Sequence, residues 1–402
     1  MSMKAGRGHA STAWEVRTLG DLCDITIGRT PSRAVDAFWG GDIPWLSIGD
    51  MGTKHITSSE EGITESAARL MTVIPAGTLV MSFKLTIGKL GFVARDMYSN
   101  EAICALRNPR IDPEFLYYAL GAIDLTRYGK QAVKGATLNK ESLASIEVPI
   151  PPTQDEQSAI AAVLGDIDAW IGVLSQSAAK KRGIRRALAD ELVSGKRRLG
   201  SFSGKWQSTP LGEVGTWKGG GTPSMAIASY WKDGTIPWVS SGDVKVARLA
   251  STEQSITESA VSQSTTNVVP ADAIVLVTRS GILRRYLPVA RLMRPMAINQ
   301  DIKAVIPHVG VDSEFLLHAL TYAGPEILAT CLKSGTTVES VEYSWLKAFE
   351  LKLPSIEEQR AIATVLTDAD EEVSALDQAV AKAQMLKLAV AQELLAGRTR
   401  LT

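Results

Sequence analysis

Cysteine is scarce in this chain. Cys23, Cys104 and Cys331 are odd in number and widely spaced, which argues against a disulfide framework and a cysteine-based zinc site. Long apolar runs are missing too. No window holds 18 uninterrupted apolar residues, so no transmembrane helix is expected. The leading MSMKAGRGHASTA lacks the apolar stretch of a signal peptide. Neither sign of charge prevails, with 43 Lys+Arg against 43 Asp+Glu, and no segment gathers a polybasic tail. Any binding to phosphate must therefore come from a local face of a folded domain. Neutrality weakens a nucleic-acid reading without excluding it. With 45% hydrophobic and 21% charged residues, a disordered chain is excluded. A soluble, cytoplasmic protein of two to four structural units is expected.

Catalytic signatures are equally absent. Gly219-Gly220-Gly221 is followed by Thr222-Pro223 and no Lys-Ser/Thr closes a phosphate loop, so a turn is the better reading. His308 and His318 lack a His-Glu-x-x-His frame and a cysteine partner, and read as surface or helix-packing residues. There is no Gly-x-Ser-x-Gly. Asn108-Pro109-Arg110 shares letters with an amino-methyltransferase motif but lacks the aromatic residue that would stack a target base. No catalytic residue and no metal site is assigned.

What the chain does have is a tandem repeat. Trp14 opens WEVRTLGDL and Trp206, 192 positions later, opens WQSTPLGEV. Gly28-Arg29-Thr30-Pro31-Ser32 returns as Gly220-Gly221-Thr222-Pro223-Ser224. Ile43-Pro44-Trp45-Leu46-Ser47-Ile48-Gly49-Asp50 returns as Ile236-Pro237-Trp238-Val239-Ser240-Ser241-Gly242-Asp243. Asp112-Pro113-Glu114-Phe115-Leu116 returns as Asp312-Ser313-Glu314-Phe315-Leu316. Each copy begins with a loop-rich α/β (α+β) domain. Strands are expected at Ile43–Ile48, Thr78–Phe83, Gly91–Ala94 and Ala144–Ile150, then at Ala273–Thr278, Leu287–Ala290, Ile302–Ile306 and Phe349–Leu353. Short helices are expected at Pro113–Ile123 and Ser313–Ala323.

Each copy ends in a long helix. Thr153 or Ser355 can cap, with Glu156 or Glu358 three residues on as a capping box. Apolar residues then follow at 3–4 spacing. They include Ile160, Leu164, Ile167, Leu174 and Leu188 in one copy, and Ile362, Leu366, Val373, Leu376 and Val380 in the other. This is a coiled-coil seam. Gly195 and Gly397 supply the left-handed stop. The two helices are expected to pair with each other, antiparallel and with pseudo-two-fold symmetry, because effective concentration favours a partner in the same chain. Pairing with another molecule is the alternative. The partition is 1–152, 153–200, 201–354 and 355–402.

Binding candidates lie in the repeated loops. Thr30 and Ser32, with Thr222 and Ser224, present hydroxyls and backbone N–H groups in tight turns suited to phosphate. Arg29, Lys84, Lys89, Arg95 and Lys134 in the first copy supply charge, as do Arg279, Arg284, Arg285, Arg291 and Lys333 in the second. Arg279 stands where Lys84 stands, after a strand. Trp39, Trp45, Trp231 and Trp238 are assigned to the core over base stacking. The basic run Lys180-Lys181-Arg182 to Arg185-Arg186, with Lys196-Arg197-Arg198, reads as a solvated face complementing the helix dipole, with contact to DNA or an acidic partner as the alternative.

This pattern resembles the specificity subunit of Type I restriction-modification systems. The resemblance rests on Pro151-Pro152-Thr153-Gln154-Asp155-Glu156-Gln157-Ser158-Ala159-Ile160-Ala161 and on Pro354-Ser355-Ile356-Glu357-Glu358-Gln359-Arg360-Ala361-Ile362-Ala363. The Gly-x-Thr-Pro-Ser and Ile-Pro-Trp-x-Ser-x-Gly-Asp segments add to it, and it covers almost the whole chain. The second copy departs by losing one proline of the pair. The resemblance implies two target-recognition domains, each reading half of a split, asymmetric duplex DNA target, with the helices fixing the gap. It implies two methyltransferase (modification) subunits and restriction–translocase subunits as partners. S-adenosylmethionine, ATP and Mg²⁺ would sit on those partners and not on this non-catalytic chain. The competing class is a two-headed protein–protein scaffold without DNA binding, which neutrality favours slightly.

Overall fold

The computed structural model describes residues 13–132, 135–333 and 338–401. The chain divides into two compact units, residues 1–175 with 378–402 and residues 176–377. The division runs through both long helices, so each unit holds one α/β domain together with a stretch of each helix.

In the first unit a five-stranded sheet runs in the order Asp24–Ile27, Ile103–Arg107, Leu79–Ser82, Leu90–Val93, His55–Ile56. A three-stranded sheet joins Glu61–Ile63, Trp39–Leu46 and Tyr98–Ser99. Glu15–Thr18 pairs antiparallel with Glu147–Ile150, bringing the start of the domain beside its exit. The second unit repeats this plan. Its five-stranded order is Gly215–Gly219, Ile302–Pro307, Ile274–Val277, Val289–Leu292, Arg248–Leu249, and Gln207–Pro210 pairs with Glu350–Leu353. Its smaller sheet gains a fourth strand, Asn267–Val269.

All eight expected strands form, with shifted ends. Two departures have a clear cause. Ala144 closes a short helix, Lys140–Ala144, capped by Asn139, so the strand begins only at Glu147. Pro288 cannot donate to a ladder, and the strand expected from Leu287 starts at Val289. The helix expected to end at Ala323 continues through Pro325 to Cys331, because Ile327 and Cys331 are buried in the core of this unit. All three cysteines are buried and free, and burial pushes the thiols of Cys23 and Cys104 up to about 12.

The long helices run Gln154–Val193 and Ile356–Leu395. Gly195 and Gly397 stop the chain in the left-handed region, at φ 73° and 68°. Ile160 and Leu164 are fully buried in one cluster with Phe115, Leu116 and Leu120 of the domain and Leu394 of the second long helix. Ile362 and Leu366 do the same with Phe315, Leu316, Ala189 and Leu192. These seam positions therefore serve the domain core as well as the opposing helix. Ile167, Leu174, Leu188, Val373, Leu376 and Val380 are half-buried.

Within each unit the helix stretches are antiparallel. In the first, Glu156 meets Arg400 at 2.5 Å and Asp168 meets Lys387 at 2.5 Å. In the second, Arg182 meets Asp377, Arg185 meets Asp370 and Arg198 meets Glu358, so rising numbers face falling ones. Lys181, Arg182 and Arg185 of the basic run on the first long helix are thus matched by the acidic stretch Asp370 to Asp377, with Lys181 on Glu372. The charge of these three is answered inside the chain, which neither reading of that run had anticipated. By length and composition the first long helix could cross a membrane, which the absence of an uninterrupted apolar run had not suggested. In the fold its Ile160, Ala161 and Leu164 are core residues, and its Asp168 takes an ion pair and the Tyr118 hydroxyl.

The helix starts also differ from a full capping box. Thr153 and Ser355 accept from the backbone N–H of Glu156 and Glu358, as expected. The glutamate carboxylates turn elsewhere. Glu156, 5% exposed, receives Arg400, and Glu358, 1% exposed, receives Arg198, each arginine lying just past the end of the opposing helix. A buried carboxylate that loses its arginine keeps most of the cost of its desolvation, and among the described residues Glu358 would then retain only the Trp206 indole N–H, at 3.3 Å, as a side-chain donor. Arg198→Ala is accordingly expected to lower the thermal unfolding midpoint. Adding Glu358→Gln to that variant is expected to recover part of the loss, which a double-mutant cycle followed by circular dichroism would measure.

Candidate nucleic-acid interface

The repeated Gly-x-Thr-Pro-Ser loop is held by a pair of tryptophans in each copy. Trp45 donates its indole N–H to the Arg29 carbonyl at 3.0 Å, and Trp39 donates to the Ser32 carbonyl at 3.1 Å. Trp238 and Trp231 do the same for Gly221 and Ser224, at 3.1 and 3.2 Å. The indoles of each pair cross edge to face, at 5.0 Å and 5.1 Å between centroids. Trp45 and Trp238 are buried and Trp39 and Trp231 half-buried, so these rings are structural, as expected. The Ile-Pro-Trp-x-Ser-x-Gly-Asp segment is structural as well. Asp50 accepts from the Ser47 backbone N–H and hydroxyl and from the Glu60 N–H, and Asp243 repeats this with Ser240 and Glu253.

The loop packs against the turn that precedes the second strand of the larger sheet, Ile103–Arg107 in one copy and Ile302–Pro307 in the other. Gly28 N–H donates to Ile103 and Arg29 N–H to Ser99, while Phe83 N–H donates to Ala102. In the second copy Gly221 donates to Ile298 and Thr278 to Asp301. The first loop glycine is required by this closeness. A Cβ on Gly28 would lie 2.3 Å from the Asn100 carbonyl, and one on Gly220 would lie 2.0 Å from that of Ile298.

In each unit this seam gathers some of the predicted side chains on a rim. Thr30 donates to Glu101, whose carboxyl it holds below the usual carboxylate range, with Lys84 adding a smaller attraction. Thr222 donates in the same way to the side-chain oxygen of Gln300. Arg279 faces Asp301 at 4.0 Å and bridges by backbone to Ser340. Arg284 pairs with Glu339, and Lys333 pairs with Glu342 at 2.6 Å. Arg29 and Arg285 are exposed, as are Ser32 and Ser224, which stand further along the loop beside Trp39 and Trp231. Lys89 is not on the rim; its ammonium donates to the Ile48 carbonyl at 3.0 Å and pins a turn. Lys134 lies outside the described residues. The acidic and amide partners Glu101, Gln300, Asp301, Glu339 and Glu342 escaped the sequence reading, which looked for cations. The hydroxyl of Thr30 or Thr222 carried no sign of which residue it would hold.

Behind the rim, a helix of each domain is tied to both long helices. In the first unit Tyr118 donates to Asp168 at 2.9 Å, and Asp168 also receives Lys387. In the second unit His318 replaces the tyrosine. It lies 3.2 Å from Arg185, 3.4 Å from Thr367, 3.7 Å from Glu314 and 3.8 Å from Asp370. Glu314 in turn receives Arg248 and Arg291. These anchors set each domain on its stretch of the helix pair.

A model of the Type I restriction modification DNA specificity domain matches residues 12–179 and again residues 203–383. The specificity subunit of the Escherichia coli Type I restriction enzyme EcoR124I/EcoR124II is 32% identical over 261 residues, 64% of this chain and 63% of that protein. A putative Type I restriction enzyme MjaX specificity subunit of Methanocaldococcus jannaschii is 24% identical over 428 residues, 98% of this chain and 95% of its own length. The chain thus spans a little under two thirds of the Escherichia coli relative and nearly all of the archaeal one. Among solved structures, the S subunit of a Type I restriction-modification system from M. genitalium superposes with a TM-score of 0.62 at 15% identity, over 98% of both chains. A chain from a study of assembly and conformational transition in the type I R-M system superposes with a TM-score of 0.61 at 17% identity, over 96% of this chain and 98% of that one. The chain belongs to the Type I restriction modification DNA specificity domain family, of which it carries two copies. The resemblance read from the helix-root and loop motifs is the same family.

Two outcomes test the packing around the rim. Gly220→Ala forces a Cβ onto a backbone oxygen and is expected to cost about 1–3 kcal/mol in denaturant unfolding, whereas Gly204→Ala, with open space around it, should stay within about 0.5 kcal/mol. The second concerns His318. Burial, followed by the Arg185 and Arg248 charges, outweighs the pull of Asp370 and Glu314 and holds its pKa down to about 4 against 6.5. Below pH 6.5 the unfolded chain takes up a proton that the folded chain refuses. This contribution to stability is whole above about 6.5 and falls away toward 4. Unfolding curves at pH 7.5 and pH 5 should show the loss, and His318→Gln should shrink it.

Proposed function

We propose that this chain is the non-catalytic, DNA-reading subunit of a Type I restriction-modification assembly. Each recognition domain reads one half of a split, asymmetric duplex target, and the helix pair fixes the gap between the halves. One observation carries this reading most directly: a single loop frame is built twice, held alike by its tryptophans, and presents different exposed side chains in the two copies. A repeated frame with divergent tips suits recognition of two different sequences, since phosphate contacts position a domain while base edges specify it. The helices also recruit two methyltransferase subunits, and restriction–translocase subunits join for cleavage. S-adenosylmethionine, ATP and Mg²⁺ belong to those partners. The working compartment is the cytoplasm, where the DNA is.

A second reading, a two-headed protein scaffold, draws support from the rim cations. Arg279, Arg284 and Lys333 each face an acid. Salt separates the two. Displacement of counterions from DNA makes affinity fall steeply as salt rises, with a slope close to the number of phosphates neutralised.

The chain is to be co-expressed with candidate modification subunits and the methylated bases of the host DNA mapped by single-molecule sequencing. A bipartite, asymmetric motif is expected, and replacement of residues 1–150 by those of another family member should change one half-site only. Retention of both half-sites after the swap would sink the reading. A complex that neither methylates nor loses random-duplex affinity as salt rises would point to the scaffold.

A further inference from the structure

The two rims are built on one frame and differ at few positions. Asn100 and Asn299 each accept the backbone N–H two residues on, fixing the same turn. The next residue carries the difference. In the first copy it is Glu101, followed by Ala102; in the second it is Gln300, followed by Asp301. Thr30 and Thr222 hold one side-chain oxygen of each, leaving the other carboxylate oxygen of Glu101, or the amide nitrogen of Gln300, at an exposed tip. That nitrogen lies 3.3 Å from Asp301. The cation beside the turn changes as well, from Lys84 to Arg279. Each copy thus keeps one acid and one base at this place. The acid has moved by one residue, and the base has become a planar fork.

These differences have direct consequences in hydrogen-bond chemistry. A carboxylate only accepts, and in the major groove it matches the amino group of cytosine. An amide both donates and accepts, and it matches adenine at N6 and N7. An arginine fork matches guanine at O6 and N7, whereas a lysine offers a flexible point charge. A carboxylate left facing the duplex with no donor would be repelled by phosphate, so Glu101 penalises wrong bases as well as favouring a right one. Thr30 and Thr222 restrict the tip to one orientation, so the choice is made by a side chain already in place.

We propose that Glu101 in the first domain and Gln300 in the second, each with its neighbouring cation Lys84 or Arg279, are specificity-determining residues through which the two half-sites come to differ. The proposal rests on the reading of the chain as a DNA-target reader. It commits the pair to base edges and leaves the loop hydroxyls as positioning groups.

The test is selection from a pool of randomised duplexes by the full chain co-expressed with its modification subunits, followed by sequencing of the bound fraction. For Glu101→Gln the expected result is a changed or relaxed preference at one base pair of one half-site, with discrimination there falling about 10-fold, and the other half-site intact. Gln300→Glu should act on the opposite half-site alone. The thermal midpoint of both variants should match that of the unaltered chain, as both tips are exposed. The proposal is overturned if both variants select the original target with full discrimination. It is equally overturned if either weakens both half-sites together, which would mark the residue as a support of the fold. If the unaltered chain enriches no sequence, the DNA-reading function fails first, and this proposal with it.

Discussion

Everything in this structure depends on how the root of each long helix is closed. A buried glutamate and a buried glutamine follow one another there, Glu156-Gln157 and Glu358-Gln359, all at or below 6% exposure. The glutamine accepts from the backbone N–H of Asp112 or Asp312, the cap of the domain helix, at 2.9 Å in both copies. It also donates back to the proline-rich approach, to Pro151 in one copy and to Pro354 and Gly310 in the other. The glutamate takes an arginine from beyond the far end of the opposing helix. Three separate pieces of chain meet on two side chains, and a failure at either leaves a polar group buried without partners, the costliest state available to it. The Pro-x-x-x-Glu-Gln signature is therefore a mechanical joint, fixing where the domain ends, where the helix begins and which helix lies beside it.

Much of this was legible in advance, for identifiable reasons. The repeat, the long helices, their glycine stops and the structural tryptophans follow from spacing and local conformational preference, and local rules survive in the fold. The partners of the long-range polar groups were not legible. Nothing near Glu156 announces Arg400, which is 244 residues away. The capping box at Glu156 was a sound local inference that a distant arginine overrode. Lys89 looked like any loop cation until its contact with the Ile48 carbonyl removed it from the rim. Tyr118 and His318 stand at equivalent positions of the repeat, but that they share an anchoring duty with different chemistry is visible only in the geometry around Asp168 and Asp370.

The divergence between the copies is confined by this joint. Helix root, tryptophan-held loop and asparagine turn are duplicated, and divergence falls on the tips, including Glu101 and Gln300, whose shared contact with Thr30 or Thr222 needs only one side-chain oxygen. Arg29 becomes Gly221, Lys84 becomes Arg279 and Glu101 becomes Gln300. A frame that fixes backbone positions tightly allows side-chain identity at its tips to change at small cost to stability, because exposed substitutions away from caps and cores are nearly neutral.

Zero net charge is then compatible with a nucleic-acid reader. Six basic residues that would add to a general attraction to phosphate are instead matched: Arg182, Arg185 and Lys181 by the opposing helix, and Arg284, Arg279 and Lys333 by acids on the rim. A cation with an acid beside it still has donors to offer, yet a phosphate must compete with that acid for them, so adhesion to random duplex is weakened. A correctly placed base edge competes better than a phosphate, because its acceptors meet the donors without bringing a full negative charge against the neighbouring carboxylate. Under the proposed DNA-reading function, matched charges trade general affinity for discrimination, which is what a reader of one site among many needs.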